Sequence, residues 1–154
     1  MMGCNIRPLK MEEYEKYSFF RWGDNPPTAE FEWVKAEIEN GNRLIYIYET
    51  DGEFLGEGAL VLKNDDPDYT IPGRRVYMSR VLVKKEYRNL GLGTKIVSYL
   101  IRVAEEKGFD EVSVGVDLDN FSARYLYEVK TGFNEVICED EDEGGKYLKL
   151  LRRL

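Results

Sequence analysis

Residues 74–108 read RRVYMSRVLVKKEYRNLGLGTKIVSYLIRVAEEKG, and the elements they encode decide the architecture. Arg74–Val83 is rich in β-branched residues, which predicts a strand. Lys84–Asn89 is a connector. From Gly93 to Lys107, the residues Ile96, Val97, Leu100, Ile101 and Ala104 recur on one helical face, and Gly108 supplies a C-cap. Between strand and helix lies Arg88-Asn89-Leu90-Gly91-Leu92-Gly93. Glycines there permit positive φ and close backbone approach. The free amides and the dipole of the helix start make an anion site suited to a pyrophosphate, with Arg88 adding charge. A dinucleotide fingerprint requires a third glycine where Ile96 stands, and a Walker loop requires Gly-Lys-Ser/Thr where Gly93-Thr94-Lys95 stands. A glycine turn before a helix also occurs as a plain tight loop.

Upstream, Asn5–Leu9 predicts a strand, and Lys10–Trp22 a helix with Met11, Tyr14, Tyr17 and Ser18 on one side. Gly23-Asp24-Asn25-Pro26-Pro27 breaks it, and Thr28–Glu39 predicts a second helix buried through Phe31, Val34 and Ile38. Strands follow at Arg43–Thr50 and Glu53–Lys63, joined by the hairpin signal Asp51-Gly52. Asn64–Gly73 is a loop. Downstream, Asp110–Leu118 predicts a strand, Ser122–Lys130 a helix, and Phe133–Cys138 and Lys146–Leu154 two last strands. The order β-α-α-β-β-β-α-β-α-β-β, without repeats, predicts one mixed α/β domain over residues 1–154.

Composition narrows the chemistry. The 154 residues carry 22 Lys plus Arg against 29 Asp plus Glu, a net charge of −7, and 43% of them are hydrophobic. That is a globular balance, and the acidic field disfavours nucleic acid and anionic membrane as partners. There are no histidines, which excludes His-based general base catalysis, the Ser-His-Asp triad and any zinc site with a His ligand. Cys4 and Cys138, the two cysteines, make neither a Cys-based zinc site nor a secreted disulfide framework, so no metal and a reducing cytosol are expected. No apolar run reaches the length of a membrane span. Met2-Gly3-Cys4 lacks the Ser or Thr of a myristoylation signal, because Arg7 stands there.

A second constellation is Asn120-Phe121-Ser122-Ala123-Arg124-Tyr125-Leu126-Tyr127. Asn120 follows a strand and suits a helix cap, and Tyr127 suits packing one to two turns later. Together the two constellations resemble the GNAT superfamily of acetyl-CoA-dependent N-acetyltransferases. Arg88, Gly91 and Gly93 match its Arg/Gln-x-x-Gly-x-Gly/Ala pattern. Asn120, Ala123, Leu126, Tyr127, Gly132 and Phe133 match its Asn-x-x-Ala-x-x-Leu-Tyr…Gly-Phe signature. The resemblance covers Val76–Phe133 closely and, through element order, the whole chain. One departure is that Gly132 stands five residues after Tyr127 where the family places it four after, which a bulge at the helix end would absorb.

The resemblance implies a GNAT-like three-layer fold and acetyl-CoA held in a V-shaped opening between the strands ending at Val83 and Leu118. The pyrophosphate would sit on the turn of Arg88, Asn89, Leu90, Gly91, Leu92, Gly93 and Thr94. Backbone groups of Val81, Leu82 and Val83 would meet the pantetheine, with Asn120 and Ala123 on its other side. A neutral amine would attack the thioester, an N–H near Val81 would meet the developing oxyanion, and Tyr127 would protonate the leaving thiolate. The base is not evident, because the strand Arg74–Val83 has no Asp or Glu. Glu57, Asp117 or a chain of waters is a candidate, though each carboxylate also reads as a solvated surface group. The acceptor would be a small-molecule amine or a protein Lys or N-terminal amine. Trp22 and Phe31 (with Phe20) are candidate lining residues and also read as core. Glu139–Glu143, at the expected tip of the last hairpin, reads as a solvated loop that could also attract a cationic acceptor. Homodimerisation is common in the family. A non-catalytic CoA-binding module, an interaction domain and a longer acyl donor are the alternatives.

Overall fold

The structure is a computed structural model and describes residues 5–154, so Cys4 and the Met2-Gly3-Cys4 segment lie outside the described residues. Seven strands form one sheet: β1 (Ile6–Pro8), β2 (Arg43–Thr50), β3 (Glu53–Val61), β4 (Arg75–Val83), β5 (Glu111–Asp117), β6 (Glu135–Asp142) and β7 (Gly145–Arg153). Their order across the sheet is β1-β2-β3-β4-β5-β7-β6. Every adjacent pair is antiparallel except β4 and β5. The helices are α1 (Tyr14–Trp22), α2 (Thr28–Glu39), α3 (Leu92–Glu106) and the short α4 (Phe121–Arg124), which runs on into a π-helix at Tyr125–Lys130.

The apolar faces predicted from spacing pack as layers. Ile96, Val97, Leu100, Ile101 and Ala104 of α3 are buried against Leu60, Val76, Met78, Val112 and Val114 on one face of the sheet. Tyr14 and Tyr17 of α1 and Val34 of α2 are buried with Ile45, Ile47 and Ala59 on the other. Asp51 and Gly52 both take positive φ, the geometry of a tight two-residue hairpin.

The last hairpin departs from expectation. Glu139–Asp142 do not form a solvated loop; they lie in β6, paired with Leu148, Tyr147, Lys146 and Gly145 of β7, and the turn is left to Glu143 and Gly144. β7 supplies the ladder partner that a local reading of the acids cannot show. β6 is also an edge strand, where charge blocks pairing with another chain. Lys149 of β7 is buried and bonds mainly the β3–β4 loop, at 2.7 Å to Asp66 and 3.0 Å to Asp68, with Asp140 farther off at 3.7 Å.

Two irregularities create the cleft. β4 and β5 pair only from Arg75↔Glu111 to Tyr77↔Ser113 and then part, so β4 beyond Tyr77 keeps one edge free of any strand among the described residues. In the same stretch the β3–β4 register slips, from Ala59↔Arg80 to Leu60↔Met78, which leaves Ser79 as an extra residue in β4. Val76 and Met78 before the bulge, and Val81 and Val83 after it, all pack on the α3 side. Ser79 and Arg80 are thereby sent to the opposite face, where Arg80 meets Glu57 and Ser79 meets Arg43.

Candidate functional site

The opening between β4 and β5 holds two cavities that share Val81, Asn120, Ala123 and Tyr127. One, of about 550 Å³, is lined by Val81–Val83, Arg88, Asn89, Gly91, Leu92 and Gly93 across from Ser122 and Leu126. The other, of about 470 Å³, is lined by Tyr77, Ser79 and Arg80 of β4, Asp117 of β5, and Tyr69, Asp142 and Tyr147. Leu90 and Thr94 lie in the same turn but line neither cavity.

The first cavity is built for an anion. Gly91 caps α3 in the left-handed region at φ 86°, and open space lies where its Cβ would be. Asn89 also takes positive φ, at 63°. This turn aims the first amides of α3, which have no acceptor within the helix, into the cavity. Arg88 donates from Nε to the Val83 carbonyl at 2.9 Å and keeps its terminal nitrogens for other partners. Because Lys84 N–H bonds Leu55 of β3, strand alternation turns the backbone groups of Val83 and Val81 toward the cleft. A pyrophosphate on the turn and an extended polar arm along the free edge of β4 both fit these donors.

Tyr127 stands where the cavities meet. It is 7% exposed, lies edge-to-face on Phe133 at 5.7 Å, and has its hydroxyl pKa pushed up to about 12, by burial first and the Tyr77 hydroxyl second. The extra residue before Gly132 is absorbed by the π-helix itself. Thr131 Oγ1 donates to the Leu126 carbonyl at 2.8 Å, and Phe133 N–H to that of Tyr127 at 2.8 Å, closing the freed carbonyls. Asn120 is indeed a helix cap, accepting from Ala123 N–H at 3.1 Å, and it also borders both cavities.

The structure does not bring Glu57 to the cleft lining, nor is Glu57 a solvated group. It is fully buried, and its two oxygens accept from Tyr17 Oη at 2.7 Å and Arg80 Nε at 3.1 Å. Strand β3 is covered by α1 at that point, a relation that local polarity does not reveal. Asp117 is exposed and lines the second cavity. Trp22 and Phe31 line neither cavity; they pack together at 6.2 Å beside Tyr17 and Tyr14 beneath the first two helices. Phe20 packs on Phe54 in the same cluster.

The sequence reading missed Arg80, Tyr69, Tyr77 and Tyr147, which line the second cavity. One signal was present: Arg80 interrupts the alternation of RVYMSRVLV, and a charge at an inward position argues for a bulge. Tyr69 had none. It reaches the cavity because Lys149 and Ser113 pin its loop, and it stacks on Tyr77 at 4.2 Å. A Cβ on Gly115 of β5 would come within 2.5 Å of the Tyr69 hydroxyl.

The family model described as "Acetyltransferase (GNAT) family" matches residues 7–133, most of the chain and all of the cleft lining except Asp142 and Tyr147. This chain belongs to the GNAT acetyltransferase family. It is 38% identical over 80 residues to "GCN5-related N-acetyltransferase 7, chloroplastic" of Arabidopsis thaliana, covering 52% of this chain and 28% of that protein. The chain spans between 28% and 49% of the length of the curated relatives it matches. Among solved structures, a ribosomal-protein-alanine N-acetyltransferase from Brucella melitensis superposes with a TM-score of 0.75 at 16% identity, over 97% of this chain and 99% of that one. An aminoglycoside 6′-N-acetyltransferase complexed with coenzyme A superposes at 0.71 and 14% identity, over 99% and 97%. These likenesses establish the GNAT fold. Among the described residues no helix is long and apolar enough to cross a membrane, and no three His, Cys, Asp or Glu side chains are grouped to hold a metal.

Proposed function

We propose that this GNAT protein transfers the acetyl group of acetyl-CoA to a primary amine by direct attack. The observation that carries the reading is the splayed β4–β5 cleft, with an anion-binding turn in one cavity and a buried, protonated Tyr127 between that cavity and the next. Acetyl-CoA, when bound, supplies an acyl thioester. Arg88 and the amides of Asn89, Gly91, Leu92 and Gly93 hold its pyrophosphate. The β4 backbone at Val81 and Val83 holds the arm as an added strand would, with Asn120 and Ala123 opposite. Val81 N–H donates toward the acyl oxygen. Tyr127 keeps its proton at neutral pH and donates it along a hydrogen bond as negative charge develops on the departing sulfur. Because its pKa lies above the thiol value of about 8.5, the phenolate at once recovers a proton from the attacking amine or solvent.

The acceptor amine enters the second cavity, where Asp117, directly or through water, takes the ammonium proton. Glu57 is unsuited to that role, because both of its oxygens are already occupied. The acceptor class is a small-molecule amine or a protein lysine or N-terminal amine.

Calorimetric titration with acetyl-CoA, followed by a thiol-release assay over an amine panel, tests the reading. One-to-one binding with amine-dependent release of CoA supports it. Binding without transfer to any amine leaves a CoA-binding module. No binding by the folded protein makes the Arg88–Gly93 turn structural and overturns the reading.

A further inference from the structure

The second cavity has a polarity that acetyl transfer alone does not require. On its β4 wall, Arg80 is fastened by one edge only. Its Nε donates to the buried Glu57 at 3.1 Å, while its two terminal nitrogens bond nothing among the described residues. The Arg80 side chain is 32% exposed and lines the cavity. A guanidinium held this way offers a rigid pair of donors matched to a carboxylate.

Behind it stand two more guanidinium groups. Arg21 donates to Tyr17 Oη at 2.9 Å and pairs with Glu30 at 3.0 Å. Arg43 is 7% exposed, donates to the cavity-lining Ser79 Oγ at 2.9 Å, leaves its Nε unpartnered, and forms no ion pair among the described residues. Of these three arginines Arg80 alone lines the cavity, while Arg43 lies behind Ser79 and over the Trp33 ring at 5.0 Å.

The facing wall has the opposite sign. Arg80 stands three residues past Tyr77, and Asp117 four past Ser113, counted from the last paired positions of β4 and β5. Because Ser79 is an extra residue, Arg80 stands only two ladder steps past Tyr77, so at about 3.3 Å per step it rises about 7 Å and Asp117 about 13 Å on the two sides of the opening. Asp142 of β6, two strands over from Asp117, also lines the cavity. The cavity is thus cationic on one side and anionic on the other.

We infer that the acceptor of this enzyme is an aminocarboxylate, a short amine that also carries a carboxylate, and that the free edge of Arg80 binds the carboxylate. The inference rests on the acetyl-transfer reading and names the substrate class of that same site. The ammonium end lies toward Asp117 and Asp142, beside Tyr127. Arg80 is a specificity residue and takes no part in moving protons.

The test compares L-lysine with cadaverine, which differ by the carboxylate alone, as acceptors for the wild-type protein and for Arg80→Gln and Arg80→Lys. The expected result is a preference for lysine of about ten-fold or more in kcat/KM, expressed mainly in KM. In Arg80→Gln it collapses to near parity because lysine loses while cadaverine does not, and Arg80→Lys recovers part of it. Equal or better use of cadaverine by the wild type overturns the inference and needs no variant. So does an equal loss on both acceptors in Arg80→Gln, which would make Arg80 only the counter-ion of Glu57. A lysine-free peptide with an N-terminal amine serves as a separate acceptor: transfer to it without a lysine preference leaves the acetyltransferase intact and removes the inference. If nothing is acetylated, calorimetry of lysine against cadaverine on the CoA-loaded protein decides. Lysine-selective binding lost in Arg80→Gln keeps the carboxylate site without the enzyme, and no selective binding overturns both.

Discussion

Tyr127 and Glu57 show how burial assigns different work to residues that both matched a catalytic type. The hydroxyl of Tyr127 is held protonated to about pH 12 at the junction of the two cavities, where a departing thiolate can reach it. Tyr127→Phe is expected to lower kcat by about 10²–10⁴-fold with acetyl-CoA affinity nearly unchanged, as read by steady-state rates and calorimetry. Undiminished turnover would remove Tyr127 from the mechanism. The same raised pKa fixes the alkaline behaviour: the rate should climb as the acceptor ammonium loses its proton and show no Tyr127-dependent fall below about pH 11. Glu57 is spent on structure, bridging Tyr17 of α1 to Arg80 of β4 with no exposure of its own. Glu57→Gln strips a buried arrangement of its charge and is expected to destabilise by about 2–4 kcal/mol in chemical denaturation, the lower end reflecting the solvent that reaches Arg80. Turnover number per folded molecule should change less than about ten-fold, whereas loss of a true general base would exceed about a hundred-fold.

Helix α4 and its π-helix extension form the element where one added residue is converted into geometry. An α-helix from Phe121 to Lys130 would leave the residue added before Gly132 unplaced, and the wider turn takes it up without moving Tyr127 away from Asn120. π-Turns are uncommon and recur at functional sites because they re-aim a side chain at small expense. The expense here is met by Thr131, which is buried and donates to the freed Leu126 carbonyl. Thr131→Val should lower stability by about 1–2 kcal/mol through that orphaned acceptor, measured by denaturant unfolding. A loss of activity larger than the loss of folded protein would show that the turn also positions Tyr127. The bulge in β4 acts similarly: one extra residue, Ser79, keeps Val81 and Val83 on the α3 face while delivering Arg80 to the other.

Across the molecule, ion pairs tie elements that are distant in sequence. Arg7 of β1 bonds Glu13 at 2.7 Å and Glu49 of β2 at 2.9 Å, and Lys149 of β7 holds the β3–β4 loop through Asp66 and Asp68. The Arg7 guanidinium brings the Glu13 carboxyl down to about 2, and Glu49 and Asp66 are lowered by Arg7 and Lys149. A carboxylate whose folded pKa is depressed stabilises the fold above its unfolded value and loses that contribution as pH falls toward the folded value. Thermal unfolding midpoints should therefore drop between about pH 4.5 and pH 2, and Glu13→Gln should flatten part of that slope. A midpoint independent of pH in that window would deny these pairs a role in stability. Much of the architecture was legible in the chain itself. The helix Thr28–Glu39, the strand Arg43–Thr50, the left-handed turn at Gly91 and the stripe of α3 follow from local periodicity and glycine chemistry, which neighbours do not alter. The Arg88–Gly93 turn and the Asn120–Tyr127 signature were equally legible, because each motif is contiguous. What folding alone decided are relations between segments far apart in sequence: the pairing of the acids Glu139–Asp142 with β7, the cover of α1 over Glu57, the placing of Tyr69 above Gly115, and the bulge that aims Arg80. A carboxylate looks the same in sequence whether it ends in solvent, in a ladder or beneath a helix, and only the partner brought against it by the rest of the chain settles which.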